Sequence, residues 1–510
     1  MTGSYTYILH VLVTVAALLT YVLASHALPR RRHPSAAIGW VLFILLLPYA
    51  ALPLYLMFGT RKLPHARHAQ SAPRVAKEQP VAAGWLAQAS AALEQPPAVA
   101  YRDLRVHADG GAALAALLEI IDGARHSLDV CTFLLGRDAV GAKIGEHLAG
   151  RARAGVRVRL LLDGIGRWMG GGADLSGLEK AGVQVAFFVP SLSAPLKGHL
   201  NLRNHRKLAA ADAGHPGERL WCGGRNLAAD YFEGRDGDEE GEGWRDLTFD
   251  AQGPLARQAA ELFQKDWAFS QGEASPAQES PARRFGEAAG AAGEAAGALG
   301  ESAGALGESA RALGESARAL GESARAEGES AGAPLAQIVA SGPDQADDTV
   351  HVLLVSAAFH AKRRIALVSP YVVLDDALLL ALCMAARRGV TVDLLLPARS
   401  NHRIADFARH RSLRALADAG VRVWLAPRMM HAKAAIIDES PALAGSANLD
   451  SRSLLLNYEL MIAFHAAADV AQFAAWFEHE RASASRYVPQ RPRLLRDIAE
   501  GLMLWVCFQI

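Results

Sequence analysis

Cysteine is scarce and scattered. The 510 residues contain four, Cys131, Cys222, Cys383 and Cys507, with no CxxC pair and no Cys/His cluster. That excludes a disulfide framework and a structural zinc site. Net charge is nearly absent as well, 53 Lys plus Arg against 52 Asp plus Glu, so the basic footprint of a dedicated nucleic-acid binder is missing. Met1 to Thr6 carries no Lys or Arg, which disfavours a cleaved signal peptide. One compact core does not accommodate so long a chain, and two or more domains are expected.

Hydrophobic residues, by contrast, make up 51% of the chain and are unevenly spread. Tyr7 to Leu28 and Ala36 to Phe58 are almost uncharged apolar runs. At 1.5 Å rise per residue each is long enough for a hydrocarbon core of about 30 Å. Pro29-Arg-Arg-Arg-His-Pro34 between them is too polar for lipid and short enough for a helical hairpin. Pro48 and Pro53 predict a kinked or re-entrant second span. Both flanks are basic, so the positive-inside count assigns no orientation. At the other end Leu494 to Ile510 is apolar and mildly amphipathic. It is expected to lie on the membrane, to pack beside the hairpin or to be buried in a core.

From about Tyr101 the pattern turns α/β, and it occurs twice. Ser127–Leu135, Asp138–Ala154 and Val156–Leu162 read as strand, helix and strand, and so do Arg364–Val372, Asp375–Arg388 and Val390–Leu396. Each set is followed by an Ala-Gly-Val strand, at Ala181 and at Ala419, and then by an HxK motif. Repetition in one order implies an internal duplication, and alternating strands and helices imply sheets with helical cover. Between the halves Gly286 to Pro334 steps by seven (GEAAGAA to GESAGAP). A coiled coil is disfavoured, since each repeat places a Gly, costing about 1 kcal/mol, in the helix and offers mostly Ala as the apolar residue. A solvated linker is expected.

Two constellations carry chemistry. His205-x-Lys207-x4-Asp212 is followed by Gly223-Gly224-Arg-Asn226, and His431-x-Lys433-x4-Asp438 by Gly445-Ser446-Ala-Asn448. His and Lys two apart on an extended segment share a face. Two such halves brought together supply a nucleophilic imidazole, a second imidazole as general acid and base, and lysines and asparagines to bind phosphoryl oxygens. The lysines provide the positive charge, so neither metal nor cofactor is called for.

These motifs resemble the phospholipase D superfamily. Gly445 to Glu459 (GSANLDSRSLLLNYE), Gly223 to Tyr231 and Trp244-Arg-Asp246 are similar to its cardiolipin synthase branch, as is the end of the second apolar run. The resemblance implies a duplicated α/β sandwich of mixed sheets, with His205, Lys207, Asp212, His431, Lys433 and Asp438 as catalytic residues. It implies His205 as nucleophile, His431 as acid/base, Asn226, Ser446 and Asn448 near the phosphate, and an acidic residue orienting each histidine. Glu459 is expected to serve His431, and Asp246 to serve His205. The implied reaction moves a phosphatidyl group from one phosphatidylglycerol to another, releasing glycerol, at a bacterial inner membrane that the chain crosses more than once. Hydrolysis by water, another phosphatidyl transfer, a nuclease and an idle membrane scaffold are the competing readings. The balanced charge disfavours the nuclease, and the two intact motifs disfavour the scaffold. The division expected is 1–60 transmembrane hairpin, 61–100 juxtamembrane linker, 101–272 first half, 273–340 repeat linker, 341–490 second half and 491–510 apolar tail. One departure between the halves stands out: ten residues separate Asp212 from Gly223, but six separate Asp438 from Gly445.

Overall fold

A computed structural model describes residues 2–27, 34–58, 84–189, 201–232, 243–272 and 333–507. Its centre is a pair of mixed sheets. One runs Arg102–His107, Thr248–Gln252, Arg219–Gly223, Leu208–Ala211, Ser127–Thr132, Arg157–Asp163, Gln184–Phe188 across its seven strands. The other has nine strands, and its inner seven repeat that order: Leu335–Ser341, Glu459–Phe464, Ala442–Gly445, Ala434–Ile437, Arg364–Val368, Thr391–Pro397, Arg422–Ala426. The last three strands of each series are parallel neighbours and the others antiparallel. The duplication inferred from the sequence is therefore a repeated topology.

Strand alternation assigns the layers. Leu208 and Ala210 of one sheet and Ala434 and Ile436 of the other face a shared central core, which also holds Phe263 and Phe473 from the helices Leu255–Ser270 and Ala467–Ala482. The alternate residues Ala209 and Ala211, and Ala435 and Ile437, face two outer cores under the remaining helices. Both histidines stand where these sheets meet. Asp109, Asp138 and Asp375 begin outer helices by accepting the N–H three residues on, the usual first-turn remedy for unpaired donors.

Several expected boundaries shift. The strand Leu335–Ser341, all but its last residue assigned to the repeat linker, is hydrogen-bonded to Glu459–Phe464. Its Ala-rich start follows the Ala-rich repeats without a change of composition, which hid it. Within the expected juxtamembrane linker, Trp85–Ala92 is a helix whose Leu86 enters the second half's outer core, and Val99–Ala100 pairs with Leu335–Ala336. The rest of 61–100, up to residue 83, and the heptads at 286–332 lie outside the described residues. Because Tyr101 N–H donates to the Pro334 carbonyl at 3.1 Å, the useful deletion ends before that residue. Removing 286–332 is expected to change stability by only about 1 to 1.5 kcal/mol, since loop closure costs about 0.6 kcal/mol per doubling and the loop shortens by little more than two doublings. Turnover should be retained, and thermal melting with an activity assay checks both.

Among the described residues no helix is long and apolar enough to cross a membrane. Thr2–Ala27 is one helix, but the second apolar run forms two, Pro34–Leu46 and Pro48–Phe58, meeting at Leu47. Pro48 has no N–H for the carbonyl four residues back, so the ladder is interrupted there. The segments pack through Ala17, Tyr21, Ile44, Ala51 and Tyr55, with Tyr21 and Trp40 edge-on to Tyr55. The C-terminal helix Leu494–Cys507 packs against Arg403–Asp418. Arg414 pairs with Glu500 at 2.6 Å, while Leu494, Leu495 and Ile498 stay exposed.

Candidate active site

Each HxK segment is extended and ends in a short buried strand, Leu208–Ala211 or Ala434–Ile437, whose small and branched residues fit between sheet and helix. What fixes the histidines is the other half of the molecule. Tyr458 N–H donates to Arg203 O and His205 N–H to Tyr458 O, both at 2.9 Å, so the first HxK segment runs beside the approach to Glu459. Symmetrically, Arg245 N–H donates to Met429 O and His431 N–H to Arg245 O, at 2.9 and 2.6 Å, beside Asp246.

The carboxylates are therefore crossed. Glu459 accepts from His205 Nδ1 at 3.1 Å, and Asp246 from His431 Nδ1 at 2.7 Å. This reverses the expected partners. The expectation took each carboxylate to serve its own half, whereas the parallel bridges place it opposite the other half's histidine. In both pairs Nδ1 is engaged, which leaves Nε2 of His205 for chemistry, while Nε2 of His431 lies 3.0 Å from Lys433 Nζ. Glu459 is itself fixed by the hydroxyls of Ser446 (2.5 Å) and Ser453 (2.6 Å). Asp246 accepts from Leu247 N–H, and a Cβ at Gly224 would lie 2.2 Å from its oxygen. The Gly-Gly and Gly-Ser pairs thus occupy equivalent posts behind the carboxylates, and Ser446 is an orienting residue.

Both histidines line one cavity of about 680 Å³, together with Asn226, Arg203, Arg452, Tyr231 and Tyr371. Trp40, Phe43 and Leu54 of the N-terminal helices and Phe133, Leu134, Ile165 and Met169 supply an apolar wall. Phe133 stands edge-on to His205 at 5.6 Å, and Tyr231 edge-on to His431 at 5.0 Å. Lys207 and Lys433 are buried beneath the histidines. Each reaches back to the carbonyl of its own histidine, and Lys433 Nζ also lies 2.7 Å from the His431 ring. Asn448 is buried beside Asp450, with its Oδ1 lacking a partner, as is that of Asn226.

Asp212 and Asp438 are not part of this site. Each ends the strand that its lysine begins, about 16 Å away at 3.3 Å per residue. Each sits in the left-handed region (φ 52° and 50°). Asp212 accepts the N–H groups of Arg125, His126 and Ser127, and Asp438 those of Lys362, Arg363 and Arg364. Their position in the motif reflects a strand terminus that needs three donors satisfied, so the catalytic assignment is withdrawn for both. The longer turn after Asp212 leaves this geometry intact.

The chain matches the family described as "Cardiolipin synthase, PLD-like domain" over residues 117–267 and 354–481. The chain belongs to that family. Residues 12–59 match a second family, "Phospholipase_D-nuclease N-terminal". Cardiolipin synthase A of Pseudomonas aeruginosa is 28% identical over 504 residues, spanning 94% of this chain and 91% of that protein. The Pseudomonas entomophila protein of the same name is 27% identical over 470 residues, 88% and 87% of the two chains. The fold is that of a phosphatidylserine synthase from Haemophilus influenzae, with a TM-score of 0.57 at 12% identity, covering 83% of this chain and 99% of that one.

For a cardiolipin synthase-family site the electrostatics are instructive. Burial lowers His205 below its usual value, opposed by Glu459, and lowers His431 further, to about 3, with Lys433 adding to the effect against Asp246. Both are therefore neutral at pH 7 in the empty site. Burial also lowers Lys207 to about 8 and Lys433 to about 7. Burial would raise Asp246 and Glu459, but the facing histidine and lysine charges keep both low, Asp246 at about 2. Below about pH 7 two ammonium groups then balance two carboxylates. A bound phosphodiester adds one negative charge, and the site gains affinity for a proton only when substrate arrives.

A pH dependence follows. As pH rises through about 7 to 8 the empty site loses its lysine protons, so kcat/KM is expected to fall there. With phosphate bound the ammonium forms are favoured, and the alkaline limb of kcat should lie higher. Rate profiles from pH 6 to 10 check this, and coincident limbs would remove the lysines as the titrating groups.

Sequence reading missed Arg203, Phe133 and Tyr371, which line the cavity from outside any shared motif, and also Arg452, which stands on the helix Ser451–Leu455 within the stretch that carries the family resemblance. Tyr231 and Trp244 were within reach, because both lie in the stretches that carry the family resemblance.

Proposed function

We propose that the protein synthesises cardiolipin by phosphatidyl transfer. His205 Nε2 attacks the phosphorus of one phosphatidylglycerol, and the released glycerol takes its proton from His431. The terminal hydroxyl of a second phosphatidylglycerol then attacks the phosphatidyl-histidine. His205 is the better-exposed imidazole, with 15% of its side chain accessible against 4% for His431, which favours it as nucleophile. Lys207, Lys433 and Asn226 hold the phosphoryl oxygens as charge builds, and Asn448 supports the same lining from behind. Among the described residues no group of three His, Cys, Asp or Glu could hold a metal ion, and the lysines supply the positive charge. The observation that carries the reading is the crossed pair of histidines opening on one cavity with an apolar wall, each with a buried lysine beside it.

That wall also supports a membrane site. Leu9, Leu12, Leu19, Val22 and Leu23 are each more than half exposed on the first helix, as is Ile38 on the second. Exposed apolar side chains of that density need a partner, and lipid fits the neighbouring Trp40, Phe43 and Leu54. The hairpin is thus read as an integral element of the bacterial inner membrane that delivers phospholipid sideways into the cavity. The purified protein in vesicles containing phosphatidylglycerol, with EDTA present, is expected to release glycerol and form cardiolipin in equal amounts. Phosphatidic acid in place of cardiolipin would assign hydrolysis instead.

A further inference from the structure

We propose that Arg203 and Arg452 form a second phosphate-binding position, which holds the phosphodiester of the acceptor lipid. The inference rests on the transfer reading above and adds the feature that separates a lipid acceptor from water. In the second step the acceptor's hydroxyl oxygen attacks the phosphorus of phosphatidyl-His205. The P–N bond breaks as the P–O bond forms, the ring nitrogen recovers its electron pair, and the hydroxyl proton passes to His431. The acceptor brings a phosphodiester of its own, one three-carbon glycerol away from the reacting oxygen. A site for it must be cationic, must open on the same cavity, and must lie to one side of the histidine pair.

Arg203 and Arg452 meet these conditions. Both line the cavity with His205 and His431. Arg203 and His205 are two apart on one extended segment and so face the same way, while Arg206 turns inward to Asp266. Arg452 is held by two hydrogen bonds to Asn201, at 3.0 and 3.1 Å to its side-chain and main-chain oxygens. The pair has no duplicate. Alignment of Asn448 on Asn226 sets Arg452 opposite Asp230, and alignment of His431 on His205 sets Met429 opposite Arg203. The machinery for the transferred phosphoryl group is present in both halves, whereas these two cations are on one side only, as a site for a second and different phosphate requires. Asp163 faces both arginines and Asp450 faces Arg452, yet burial, and for Arg452 the charge of Arg203, keep both below the ordinary guanidinium value. A planar guanidinium suits an arriving phosphodiester by binding two oxygens at once.

The test uses the full chain in phosphatidylcholine vesicles containing phosphatidylglycerol, with radiolabelled glycerol in the water. Cardiolipin formation needs a phosphate-bearing acceptor, while exchange of labelled glycerol into phosphatidylglycerol needs an uncharged one. Both pass through the same phosphatidyl-enzyme, so their ratio cancels donor binding and the amount of folded protein. Arg203→Gln and Arg452→Gln are each expected to lower cardiolipin formation relative to exchange by about tenfold or more, as for loss of a charge-assisted hydrogen bond. Arg→Lys at either position should give a smaller shift in the same direction, and carries the test if a Gln variant folds poorly. An unchanged ratio, with both reactions falling together or neither falling, overturns the proposal. Absence of both reactions in the unmodified protein would instead remove the transfer reading.

Discussion

Replacement of His205 or His431 by alanine is expected to lower turnover by about 10⁴-fold or more, with the double variant little worse than either single one. The expectation comes from the geometry. Each histidine is placed by the opposite half, through backbone bridges at Asn204–Tyr458 and Arg245–Met430, so the halves form one site rather than two. One imidazole cannot be both the bound nucleophile and the acid in a single step. The cost of losing one function therefore nearly exhausts what the pair contributes, and removing the second takes away little more. Steady-state rates for the three variants, with thermal melting to confirm folding, measure this. Substantial turnover in either single variant would mean that each half works alone.

Glu459→Gln and Asp246→Asn are each expected to lower turnover by about 10² to 10⁴-fold, because an amide at Nδ1 favours the wrong imidazole tautomer. Glu459 faces His205 and Asp246 faces His431, so the two losses should fall on different chemistry. A donor lipid with p-nitrophenol as leaving group needs no acid. With it, Asp246→Asn and His431→Ala should still release a burst of p-nitrophenol and retain labelled phosphatidyl on the protein. Glu459→Gln and His205→Ala should do neither. A burst that groups Glu459→Gln with His431→Ala would refute the crossed arrangement, and one that survives in His205→Ala but not in His431→Ala would exchange the two roles.

The contrast between these carboxylates and the two motif aspartates shows where sequence reading reaches its limit. Spacing alone presents Asp212 and Asp438 as members of the catalytic set, because they recur five residues after each lysine. In the fold they satisfy three backbone N–H groups at a strand end, a need that any strand of that length starting at the lysine would share. Recurrence reported a common topology there, not a common chemistry.

The sequence by itself determined the duplication, the α/β class, the buried strands after each lysine and the paired histidines and lysines, and its family resemblance pointed to Ser446, Asp246 and Glu459. Those signals are local: periodicity, residue type and short spacing survive without knowledge of what packs against what. Only the tertiary structure decided which carboxylate serves which histidine and that Asp212 and Asp438 stand apart. It also decided that Leu335–Ser341 is a strand, and that Arg203 and Arg452, 249 positions apart in the chain, share a cavity with Trp40. Each of these depends on contacts between segments far apart in sequence, and backbone pairing between the halves, which no local pattern encodes, sets them.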